Sequence, residues 1–128
     1  MCIRDRISDF SNTVRARTGT WPAIYTTTDW WKTCTGNSSA FPGNALFIAR
    51  YPASLSSGAG TLPASWVRYA LWQYSSTGPW PGDSDTFNGT VDQLVQFANT
   101  GTPSPPFGSL DSVSTGLCLL YTSDAADE

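Results

Sequence analysis

Apolar residues along this chain recur at two spacings, one helical and one extended, and the switches between them mark the elements. Ser8 or Asp9 can cap a short helix running through Arg17, with Phe10 and Val14 one turn apart and Gly19 as a left-handed stop. Pro22 then opens an extended run, Ala23-Ile24-Tyr25-Thr26-Thr27, rich in β-branched and aromatic residues. Thr28 can cap a second helix from Asp29 to Cys34. Asp29 complements the helix dipole there, and Gly36 ends the helix. The near-continuous apolar run from Ala45 to Tyr51 suits a strand covered on both faces. After a turn-rich loop from Pro52 to Ser65, a further strand is predicted from Trp66 to Tyr74. Thr90 and Gln93 stand at capping-box spacing before a last helix, whose apolar stripe is Val91, Leu94, Val95 and Ala98. Gly101 can close it.

Strands alternating with short helices predict an α/β fold with parallel strands. Three strand segments cannot close a barrel, and so small an open parallel sheet leaves long unpaired edges. The pattern therefore implies neighbours beyond those visible. The chain divides into residues 8–100 as the folded part, a Pro/Ser/Thr-rich linker at 101–117, and two ends of different composition at 1–7 and 118–128. Met1-Cys2-Ile3-Arg4-Asp5-Arg6 lacks the apolar core of a secretion signal. Both ends resemble translated adapter read-through and are expected to be non-native.

Composition narrows the function classes. Of 128 residues 40% are hydrophobic and only 13% charged, with six Trp and five Tyr. That balance suits a secreted polysaccharide-acting protein as well as any aromatic-rich domain. A net charge of −3 without a basic run argues against nucleic-acid binding. No apolar run approaches the ~20 residues that span a bilayer. Of three cysteines only Cys34 lies inside the folded part, either as a small buried hydrophobe or with a partner in sequence outside this chain. With no His and no cysteine pair at zinc spacing, no metal site is expected, and no nucleotide-binding glycine motif suggests a cofactor.

The densest chemistry lies between Tyr69 and Gly89. The aromatic segment Leu71-Trp72-Gln73-Tyr74-Ser75 leads through a Gly/Pro turn to Asp83-Ser84-Asp85-Thr86-Phe87-Asn88-Gly89. Indole and phenol faces stack on sugar C–H faces, while carboxylates bind hydroxyls or move protons. Both acids equally suit the turn and the N-terminus of the helix that follows. Trp72 and Tyr74 share one strand face and Gln73 takes the other. Which face meets a cleft is left open by the pattern. Tyr25, Arg50 and Tyr51 end their strand segments, Arg50 suiting either a ligand carboxylate or a surface ion pair. Trp30 and Trp31 read as helix packing.

Four blocks in order carry a family likeness: Pro22-Ala23-Ile24-Tyr25-Thr26 with Asp29-Trp30-Trp31, Leu46 to Tyr51, Trp72-Gln73-Tyr74-Ser75, and Asp83 to Gly89. Over roughly Asp9 to Asn99 the chain resembles the C-terminal half of the glycoside hydrolase family 25 muramidases, the Chalaropsis-type lysozymes. The resemblance implies part of a flattened, irregular TIM-like (β/α) barrel. It also implies hydrolysis of the β-1,4 bond between N-acetylmuramic acid and N-acetylglucosamine in peptidoglycan. Secretion and a monomeric whole protein without cofactor, nucleic acid or membrane partner follow from it. It makes Asp83, four residues before Phe87, the catalytic-site carboxylate, with Asp85 supporting it. It makes Tyr25, Arg50, Tyr51, Trp72 and Tyr74 glycan-binding residues. The family's Asp-x-Glu pair, whose Glu serves as general acid, is absent, and the only Glu is Glu128. The chain is therefore expected to be an inactive fragment of a lysozyme. The alternative is a non-catalytic carbohydrate- or cell-wall-binding module.

Overall fold

A computed structural model describes residues 2–102 and 119–120. The elements are α1 (Ile3–Thr18), β1 (Ile24–Thr26), α2 (Thr28–Thr35), β2 (Leu46–Ala49), a 3-10 turn (Leu55–Ser57), β3 (Leu71–Ser75), β4 (Ser84–Phe87), α3 (Val91–Thr100) and β5 (Leu119–Leu120). The sheet runs β1-β2-β3-β4-β5 in chain order, so β1 is an edge strand among the described residues. β1, β2 and β3 are mutually parallel, in the registers Ile24↔Leu46 and Ile48↔Trp72. β4 returns antiparallel to β3, which the parallel pattern did not anticipate. Its connection, residues 76–83, is too short for a crossover, and a short link can join only antiparallel neighbours. The result is a mixed α/β fold around a four-strand sheet with the two-residue β5 added at its edge.

Local chemistry explains most boundaries. Thr27 rather than Thr28 caps α2, its hydroxyl accepting from the Trp30 N–H at 3.1 Å. Gly19 and Gly36 adopt left-handed backbone, φ 81° and 69°, that any side chain would strain. The capping box at α3 is complete. Gln93 N–H donates to Thr90 Oγ1 at 3.2 Å, and Thr90 N–H donates to Gln93 Oε1 at 2.9 Å. α1 begins at Ile3, five residues before the expected start at Ser8. Asp5 in its first turn accepts from the Cys2 N–H and complements the helix dipole. Helical structure thus extends through most of 1–7. The segments expected as linker and C-terminal end lie almost wholly outside the described residues.

The core sits on the helix-covered face of the sheet. Leu46, Ile48, Trp72 and Tyr74 project there against Trp31 of α2 and against Phe41, Trp66 and Tyr69 from the connecting loops. Edge-to-face contacts join Trp31 to Phe41 and to Trp66, with centroids 5.4 and 5.0 Å apart. Each of these indoles spends its N–H on a backbone carbonyl: Trp31 on Ser38, Trp66 on Asn44 and Trp72 on Arg50, at 2.7–2.9 Å. Buried Asn44 extends the network, donating to Ser11 Oγ and to the Pro22 carbonyl, and so fastens α1 and the entry to β1 onto β2. The stripe predicted for α3 is not buried in this way. Val91 and Val95 are exposed, and α3 is held instead by Phe97 packing on Phe87.

Candidate active site

The opposite face of the sheet carries the polar chemistry. Strand alternation puts Tyr25, Phe47, Gln73 and Asp85 on this side, because Tyr25 pairs with Phe47 in register and Gln73 with Asp85. Tyr25 lies edge-on against Phe47, which fixes its ring. Tyr51 follows the carboxyl end of β2. Both phenols point at one atom. Tyr25 Oη donates to Gln73 Oε1 at 2.6 Å, and Tyr51 Oη donates to the same oxygen at 2.5 Å. Both rings remain more than half exposed, at 56% and 55%. They border a depression of about 660 Å³ at the carboxyl ends of β1 and β2, lined also by Thr27, Asp29, Lys32 and Arg50. This is the end of parallel strands at which α/β folds bind ligands.

Electrostatics tie the two aspartates to this cluster. Asp85 is half-buried, and its Oδ1 is enclosed without a partner. Burial first, and then the charge of Asp83, raise its pKa above the usual carboxylate range, while hydrogen bonding from Gln73 partly opposes the rise. Burial likewise raises the Tyr25 pKa, helped by the hydrogen-bonded Tyr51 and by the charges of Asp83 and Asp85. Asp83 itself is exposed at the start of the strand. Among the described residues no three His, Cys, Asp or Glu side chains gather as a metal site.

The raised Asp85 pKa has a consequence for stability. A carboxyl whose folded pKa exceeds its unfolded value favours the protonated native state. Its contribution is full below about pH 4 and is lost as pH rises through the folded pKa. Asp85→Asn is therefore expected to raise the unfolding midpoint at pH 7 and to leave it nearly unchanged near pH 3. Denaturant melts at the two pH values check this, and an Asn variant that is weaker at pH 7 would contradict it.

The expected site residues divide sharply. Tyr25 and Tyr51 converge, and the charge of Asp83 contributes to the raised pKa of Tyr25. Arg50 borders the depression but is committed to the loop beyond β2. Its Nη1 donates to the Gly58 carbonyl at 2.5 Å and to the Ser57 carbonyl at 3.3 Å. Gly60 beside it has φ 72°, a left-handed backbone that favours glycine, and a Cβ there would lie 2.9 Å from the Arg50 Nε. Trp72 and Tyr74, expected to bind glycan, are placed on the core face and are 6% and 7% exposed. The reason is the aromatic cluster built on Trp31, which takes the Trp72 side of β3 and leaves Gln73 to the cleft. Gln73 was not anticipated as a site residue. The available signal was a lone amide between two aromatics, on the face the pattern left open. Cys34 is exposed with a free thiol, so the buried-hydrophobe reading does not hold. Trp31 is packed as expected, whereas Trp30 is 44% exposed.

Phenols, an amide and carboxylates gathered beside the carboxyl ends of parallel strands define an α/β protein with a polar, aromatic-walled cleft. The family model for glycosyl hydrolases family 25 matches residues 2–83. The chain belongs to that family. It is 43% identical over 96 residues to an N,O-diacetylmuramidase of Arthroderma benhamiae, covering 74% of this chain and 39% of the relative. It is 39% identical over 93 residues to the N,O-diacetylmuramidase of Chalaropsis sp, covering 72% and 43%. The solved muramidase from Acremonium alcalophilum superposes with a TM-score of 0.69 at 47% identity, covering 76% of this chain and 45% of that one. The chain thus spans about two fifths of the length of the curated relatives it matches.

Proposed function

We propose that residues 8–100 form the later part of a muramidase domain, a portion of a flattened (β/α) barrel. In this reading the whole protein is secreted and hydrolyses β-1,4 bonds between N-acetylmuramic acid and N-acetylglucosamine in peptidoglycan. The observation that carries the reading is the convergence of Tyr25, Tyr51 and Gln73 at the carboxyl ends of parallel strands, in a chain of this family. Among the described residues the outer edge of β1 has no strand partner, which fits a barrel whose closure would give it one. Residues 101–117 are read as a linker and 118–128 as foreign to the domain, whereas residues 3–7 lie within α1. Asp83 is the carboxylate offered to the glycan. Exposed, it aids the reaction by its charge at the sugar's 2-acetamido group, while Asp85 shapes its field. Arg50, Trp72 and Tyr74 act through the loop and core that hold Tyr25 and Tyr51 in place.

A chimera tests this directly. The upstream part of the Acremonium alcalophilum muramidase, joined ahead of residues 8–100, is expected to release reducing ends from bacterial cell walls. Asp83→Asn in that chimera should lower turnover by roughly 10²-fold or more while leaving the fold intact. A folded chimera that releases no reducing ends defeats the reading.

A further inference from the structure

The cluster on the open face of the sheet has an unusual hydrogen-bond balance. A tyrosine hydroxyl has one proton to give and lone pairs to receive. Here both hydroxyls lie within donating distance of one oxygen, Gln73 Oε1, and Tyr25 is also hydrogen-bonded to Tyr51, so the two protons are taken up within the cluster. The orientation of the amide follows from its other neighbour. Gln73 stands directly opposite Asp85 in the β3–β4 register, so turning the amide over would aim its oxygen at a carboxylate. The amide nitrogen therefore faces Asp85, and the oxygen faces the phenols. Neither tyrosine has a proton left for a ligand, yet both rings are more than half exposed.

We propose that Gln73 is a positioning residue that fixes the hydrogen-bond polarity of the cleft. By holding the protons of Tyr25 and Tyr51 it leaves two phenol oxygens that act only as acceptors, matched to the amide N–H and hydroxyl donors of a 2-acetamido sugar. This rests on the glycan reading above and adds a selection rule to it: the cleft favours a sugar whose C2 substituent carries an N–H over one that carries an ester oxygen. The raised pKa of Tyr25 is consistent with it, since a phenol that must keep its proton holds the arrangement across the working pH range.

The experiment uses the 128-residue chain and two probes, N,N′-diacetylchitobiose and its analogue with both acetamido N–H groups replaced by ester oxygens. Binding is followed by NMR shift changes. The unaltered chain is expected to bind the N–H form about tenfold more tightly, the scale of one hydrogen bond against an unmatched acceptor pair. Gln73→Leu frees both phenol protons, which can then turn toward an ester oxygen, so the ratio should fall to about threefold or less. Tyr51→Phe, which leaves the strands untouched, should lose part of the preference and keeps the test valid if Gln73→Leu fails to fold. Equal binding of both probes by the unaltered chain overturns the role of Gln73 while the glycan reading stands. So does a preference that neither variant changes. If neither probe binds, the glycan reading of this cleft fails and the selection rule with it.

Discussion

Purified residues 1–128 are expected to release no measurable reducing ends from bacterial cell walls. Glycoside hydrolysis needs a group that protonates the leaving oxygen and a second that stabilises the developing oxocarbenium centre. The chain holds a single Glu, Glu128, which lies outside the described residues. The carboxylates near the cleft are Asp83, Asp85 and Asp29. Asp29 is exposed in the first turn of α2, with no carboxylate partner in the wall beside it among the described residues. Asp85 tends toward protonation, but its Oδ1 is enclosed and its side chain faces Gln73, so its proton has no path to a glycosidic oxygen. Losing the general acid alone typically removes a factor of about 10²–10⁴. Without an opposed pair, the remaining binding groups have no bond-breaking step to accelerate. The measurement is reducing-end release beside one of the muramidase relatives at equal molarity. Turnover within about 10²-fold of that relative would show that Asp83 and Asp85 suffice, and the incomplete-site argument would fall.

Most elements were legible because their ends carry local chemistry. Thr27 and Thr28 compete for one cap, so the start of α2 moved by one residue and its identity did not. The Thr90–Gln93 pair specified α3 without reference to anything distant. β2 was visible as an apolar run because three of its four residues are buried. β4 was not. Ser84-Asp85-Thr86-Phe87 has two polar residues that burial alone makes strand-like, and buried Ser84 and Thr86 owe their place to β3 beside them. Such tertiary burial leaves no mark in propensity.

The site was half legible for the same reason. Tyr25 and Tyr51 end strands, and strand ends are readable. The side of β3 that faces the cleft is not, because Trp72-Gln73-Tyr74 offers aromatics on one face and an amide on the other, and either face can line a sugar cleft. The decision belongs to Trp31, more than forty positions upstream of Tyr74, whose ring occupies the aromatic side and leaves buried Gln73 on the opposite face. Core packing therefore selects the functional face. Asp83 and Asp85 differ by one strand step in sequence, and only the pairing of Asp85 with Gln73 separates an exposed carboxylate from a half-buried one.

That dependence makes Trp31 the position where a single change should do most damage to the fold. The side chain is fully buried and touches Phe41 and Trp66 edge-on. Trp31→Ala is expected to cost about 3–5 kcal/mol, the usual range for emptying an aromatic core site. Small domains have only about 5–15 kcal/mol in total, so the loss is comparable to the whole. The near-UV circular dichroism of the aromatic cluster should collapse while helical signal partly survives. The lost hydrogen bond is a minor part, because the Ser38 carbonyl freed by the indole still accepts from Ser65 Oγ at 2.7 Å. Trp31→Phe separates the two contributions. It removes the N–H and keeps much of the volume, so it should cost clearly less than the alanine change and preserve the near-UV signal. Equal losses for Phe and Ala would put the stability in the hydrogen bond instead of the packing. The same pair of variants reads out the cleft, since α2 supplies Thr28, Asp29 and Lys32 to its wall. Weakened sugar binding in the alanine variant, retained in the phenylalanine one, would follow from a helix that has lost its anchor to the sheet.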